Sequence, residues 1–116
     1  MSADLQKKLE EVTRVRGVMG AMIVGAGDGL VVAESLMEGV RGNAVAALAA
    51  SLFSRFGDAS SASGAGAPKF IHLQADEGSL VALPGADDVI VVAVTDVGVN
   101  VGLVRLEMQR VVEAGT

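Results

Sequence analysis

Residues Val89 to Thr95 read VIVVAVT, an apolar and β-branched run with no polar alternation. Successive side chains of a strand point to opposite faces of its sheet, so a half-wet strand alternates apolar with polar. An unbroken run therefore marks a strand buried on both faces. Whatever sheet holds this segment must carry a covering layer on each side. The 116 residues suffice for one domain of ordinary size, and a chain this long buries roughly two-thirds of its unfolded surface. Cysteine is absent, so disulfides and thiolate chemistry are excluded.

The covering layers are legible as helices. Leu5, Leu9, Val12 and Val15 recur at helical spacing, with Lys7, Lys8, Glu10, Glu11 and Arg14 opposite. Ser2 or Asp4 can cap that helix, and Gly17 stands where a terminator belongs. Val18 to Val24 and Leu30 to Ser35 are β-rich and flank Gly25-Ala26-Gly27-Asp28-Gly29. Such a pair predicts a hairpin, with glycine supplying the positive φ that the turn needs. Asn43 caps a second helix that Gly57 ends, and residues 58–67, DASSASGAGA, form a mobile small-residue connector. Pro68 to Ala75 is a strand whose leading proline suits a sheet edge. Ser79 to Pro84 is the next strand, Val89 to Thr95 the last, and a third helix follows from about Val101. In it Leu103, Leu106 or Glu107, Arg110 and Glu113 set the spacing, with Val104, Met108, Val111 and Val112 adding apolar area. The order is α-β-β-α-β-β-β-α. Hairpins and meanders make the central five-stranded sheet antiparallel, and helices on both faces give a three-layer α/β/α sandwich of the α+β kind.

The second helix is the unusual one. From Asn43 to Gly57 the sequence is NAVAALAASLFSRFG, whose one charge is Arg55. On a helical wheel Val45, Leu48, Ala49, Leu52 and Phe56 form a stripe that can face the core. Ala46, Ala47, Ala50, Phe53 and Ser54 remain, and they are not water-seeking. A helix outside a single sheet exposes its outer side unless a partner covers it, and large apolar patches are unusual on monomers. The small residues would let a second helix approach closely. This division assigns the first set to the core and the second to a partner.

Constellations with chemical meaning are few. Gly25 to Gly29 resembles a phosphate loop only superficially, because the sixth residue is Leu30 and a strand follows where a helix is required. Ser63 to Lys69 lacks the phosphate-loop spacing, and Pro68 removes a useful amide. His72 is the single histidine, mid-strand and without a nucleophile motif nearby, and packing at an edge or subunit contact suits it better than catalysis. Asp76, Glu77, Asp87 and Asp88 fall in turns and lack calcium-loop spacing. Asp96 can cap the segment after the last strand. No catalytic residue, cofactor site or metal site is expected.

The net charge of −5 and the absence of Trp and Tyr argue against nucleic acid and anionic membranes as partners. The opening SADLQKKLEEV is charged helix and not a signal sequence, and no apolar run approaches the roughly 20 residues of a membrane span. A cytoplasmic location is the expectation.

Gly17 to Val24, the Asp28-Gly29 turn, Leu30 to Ser35, the alanine-rich helix at Ala44 to Phe56, the Leu80 to Gly85 hairpin end and the Asn100 to Val111 segment together resemble the roadblock domain. That family comprises dynein light chains and bacterial gliding-motility regulators. The likeness spans the whole chain as a single domain, 1–116. Longin and profilin-like folds share the layout, while the alanine-rich helix and Asn100-Val101-Gly102-Leu103 favour roadblock. The resemblance implies a non-enzymatic homodimer in which second helices pack across a twofold axis and edge strands pair. Carried over, the helix is Ala44 to Phe56 and the strand comprises Lys69, Phe70, Ile71, His72 and Leu73. It further implies docking of a small Ras-like GTPase on the paired helices, with Arg41 and Arg55 as the basic residues at the rim. The alternatives are a small-molecule sensor or a general protein-interaction module of the same fold, and, last, an enzyme using Asp, Glu or His72 as acid or base.

Overall fold

The structure, a computed structural model, describes residues 3–115. The elements are α1 (Ala3–Thr13), β1 (Val18–Gly25), β2 (Val31–Leu36), α2 (Gly42–Ala62), β3 (Ile71–Ala75), β4 (Gly78–Pro84), β5 (Val89–Asp96) and α3 (Val101–Ala114). The strands form one five-stranded sheet in the order β2-β1-β5-β4-β3, and every pairing is antiparallel. The expected architecture is present, with β5 at the centre and β3 at an edge.

Strand alternation sorts the core into two layers. Ala21, Ile23, Val81, Leu83, Val91 and Ala93 face α1 and α3, where they meet Leu9, Val12, Val104, Met108 and Val111. Met22, Val24, Ala82, Ile90 and Val92 face α2 and meet Ala46, Ala49 and Ala50. The register Met22↔Val92 and Ile23↔Val91 keeps the two sets in phase. Each large side chain so buried contributes roughly 1.5–3 kcal/mol, and this double burial is why VIVVAVT shows no alternation.

Local chemistry sets the ends. Asp28 Oδ1 accepts the Leu30 amide at 3.0 Å, and Gly29 takes φ +70, closing the β1–β2 turn. Asn100 caps α3, its Oδ1 accepting the Leu103 amide at 3.1 Å. Asp96 Oδ1 accepts the Gly98 amide at 2.9 Å and orders the loop before it.

Several boundaries differ from the sequence reading. α2 does not stop at Gly57 but runs to Ala62, so residues 58–62 are helix and the connector begins at Ser63. One mid-helix glycine costs only about 1 kcal/mol against alanine, and the Ala/Ser segment beyond it sustains the ladder. Arg41 occupies the cap position of α2 without a side-chain cap hydrogen bond, and Asn43 lies inside the first turn. Lys69 and Phe70 precede β3. Of the two caps considered for α1, Asp4 lies within the helix and Ser2 lies outside the described residues.

Candidate functional site

The α2 wheel is rotated relative to the sequence reading: Val45 and Ala49 lie on the core side as assigned, but Leu48 and Phe56 turn outward. Ala46, Ala49 and Ala50 are buried against the sheet, and Phe53 packs against the same core layer. Leu48 is 71% exposed and Phe56 is 40% exposed. The cause lies in the sheet. Met22, Val24, Ile90 and Val92 already fill the space between sheet and helix, so the helix contributes alanines where it approaches closest. Close packing leaves no room for leucines there. Ala46, Ala50 and Phe53, assigned to a partner by the wheel, therefore belong to the chain's own core.

The outer surface of α2 has two flanks. Ala47, Ser51, Ser54 and Arg55 line a polar cleft shared with Ala26 to Gly29 of the β1–β2 turn. A Cβ on Gly29 would come within 3.1 Å of the Ala47 Cα, so the turn sits tightly on this flank. Helical geometry puts Leu48, Leu52 and Phe56 on the other flank, with Val45 at its inner margin packed against the core. Leu48, Leu52 and Phe56 stand at i, i+4 and i+8, an apolar ridge in which Leu48 and Phe56 are exposed and Leu52 is half-buried. Arg41 and Arg55 are both exposed, the first at the N-cap of α2 and the second within it, roughly 20 Å apart at 1.5 Å per residue.

The edge strand β3 adds to this surface. Register pairs Ile71 with Ala82 and Leu73 with Leu80, which places Ile71 and Leu73 on the α2 side of the sheet. Leu73 is 45% exposed, whereas Ile71 is 8% exposed. His72 points to the opposite side, where its Nε2 lies 2.9 Å from Ser79 Oγ. Phe70 packs on the α1/α3 layer, and the Arg105 guanidinium sits 4.5 Å from its ring centroid. Leu73 thus shares the α2 face, while Phe70 and His72 secure the strand from behind.

Catalytic and ligand chemistry find no comparable arrangement. Among the described residues His72 is met by the Ser79 hydroxyl and the Phe70 ring, with no carboxylate bonded to it. Among the described residues no three His, Cys, Asp or Glu side chains gather as a metal-holding group. An apolar cleft of about 250 Å³ lies between Leu5, Ile23, Val91, Val111 and Val112. No helix among the described residues is long and apolar enough to cross a membrane.

The Roadblock/LC7 domain model matches residues 4–95. The uncharacterized protein MJ1340 of Methanocaldococcus jannaschii is 30% identical over 109 residues, covering 94% of each chain. The Roadblock/LC7 domain from Streptomyces avermitilis superposes with a TM-score of 0.83 at 20% identity, covering 97% of this chain and 92% of that one. The gliding protein MglB of Thermus thermophilus gives a TM-score of 0.82 at 20% identity, covering 98% and 90% respectively.

Proposed function

The chain belongs to the Roadblock/LC7 family, and on that footing we propose that it is a non-enzymatic homodimer that binds a small Ras-like GTPase and regulates its nucleotide cycle. The observation that carries the dimer is the apolar flank of α2. Leu48, at 71% exposed, projects from a helix whose inner side is already satisfied. Apposing two such flanks about a twofold axis buries the same ridge on both protomers, as an isologous interface requires. The edge position of β3 supports strand pairing beside the helices, joining two sheets into one. In this interface Leu48, Leu52 and Phe56 replace Ala46, Ala50 and Phe53, and Leu73 contributes from β3.

The GTPase partner is what the family resemblance implies, and the fold shared with a gliding protein supports it. A partner docked across the paired α2 helices meets Arg41 and Arg55 at the rim. Regulation would then act by holding the switch loops in one arrangement, not by acid–base chemistry. Small Ras-like GTPases of the host, purified and loaded with GDP or a non-hydrolysable GTP analogue, test this by titration and by GTP turnover. Binding in one nucleotide state, lost on Arg55→Glu, is the expected result. No binding in either state would defeat the GTPase reading and leave the dimer standing.

A further inference from the structure

Basic residues are unevenly placed. Lys7, Lys8, Arg14, Arg16, Arg105 and Arg110 lie on α1, α3 or the turn after α1, out of nine lysines and arginines in the chain. The remaining surface holds Arg41, Arg55 and Lys69 against most of the carboxylates. Between the end of α1 and the first turns of α3 runs a shallow groove lined by Glu11, Arg14, Val15, Arg16, Leu103 and Glu107. Its acids are already partnered: Lys8 Nζ lies 3.6 Å from Glu11, and Arg110 lies 3.2 Å from Glu107. Arg14 and Arg16 are exposed and form no ion pair among the described residues. Leu103 is 43% exposed beside them, and Leu106 is 48% exposed on the outer crest of α3.

We propose that this groove docks an acidic amphipathic helix from a partner protein. Leu103 and Val15 would receive its apolar side, in the helix-in-groove manner. Carboxylates one turn apart would reach Arg14 and Arg16, whose planar forks suit bidentate pairing. The acidic remainder of the molecule repels such a segment and steers it to this one place. An anionic bilayer is the poorer occupant. It reads the summed charge of a broad face, and Asp4, Glu10, Glu11, Glu107 and Glu113 nearly cancel the cations of these helices. The groove lies across the sheet from α2, so it remains open whether or not the proposed dimer forms.

The probe is a fluorescent amphipathic peptide helix with leucines on one side and glutamates on the other. A lysine-for-glutamate copy and phosphatidylserine vesicles complete the set. The full chain should bind the acidic peptide saturably and leave the basic copy unbound. Arg14→Glu with Arg16→Glu should weaken binding about tenfold or more, while Leu48→Ser should not change it. Amide shifts should cluster at Arg14 to Arg16 and Val101 to Glu107. No saturable binding, equal binding by the charge-reversed variant, or shifts confined to α2 would overturn the proposal. Vesicle binding without peptide binding would overturn it in favour of a membrane.

Discussion

Replacing Leu48 with serine separates folding from association. The side chain is 71% exposed in the single chain, so the monomer gains little from it. Full burial of a leucine is worth roughly 1.5–3 kcal/mol, and about two-thirds of that remains to be gained when a partner covers the exposed part. Each protomer then contributes about 1–2 kcal/mol, and twofold symmetry counts it twice. A loss of about 2–4 kcal/mol corresponds to a dimer dissociation constant raised roughly 30- to 700-fold. Sedimentation equilibrium over a range of concentrations reads that constant. Thermal unfolding of both proteins, diluted until each is monomeric, should give the same midpoint, because association itself raises apparent stability. An unchanged dissociation constant would refute the assignment of this flank to the partner. A lowered midpoint in the dilute monomer would show that Leu48 packs inside the chain.

Other substitutions probe the fold around that surface. Asn100→Ala removes the acceptor of the Leu103 amide and should cost about 1 kcal/mol in urea unfolding, with Asn100→Asp restoring most of it. Gly78→Ala drives a Cβ into the Thr95 carbonyl oxygen, which should destabilise by about 2–3 kcal/mol by prising β4 from β5; a stability equal to the parent would contradict the close approach. Because the chain has no cysteine, Leu48→Cys can be cross-linked cleanly with a short bis-maleimide. It should yield covalent dimer, and Gln109→Cys on the exposed side of α3 should not; the reverse pattern would place the interface on α3.

The succession of elements along the chain and the helix count were legible because their signals are local. β-branched runs, glycine turns and Asn100 each act through neighbouring backbone, and the strand bounds agree within one residue or so except at β3. The failure at α2 is of a different kind. A helical wheel reports which residues share a face, yet it does not say how much room the opposite layer leaves. Leu48, Leu52 and Phe56 do share a flank as the spacing indicates. Only the bulk of Met22, Ile90 and Val92 on the facing sheet decides that alanines go inward. In α3, where the spacing left the inner face unassigned, Leu103 and Leu106 are exposed while Val104, Met108 and Val111 are buried. A run of alanines at helical spacing opposite strands rich in large side chains is the signal that would have found the inner face of α2. Gly57 misled because glycine ends a helix only where the backbone turns left-handed, and α2 continues through it.

The mass of the unmodified chain in solution bears most directly on the claim that the apolar flank of α2 meets a second copy. At micromolar concentration the particle should have twice the mass of the 11.7 kDa chain and should dissociate on Leu48→Ser. A strictly monomeric protein at that concentration would contradict it.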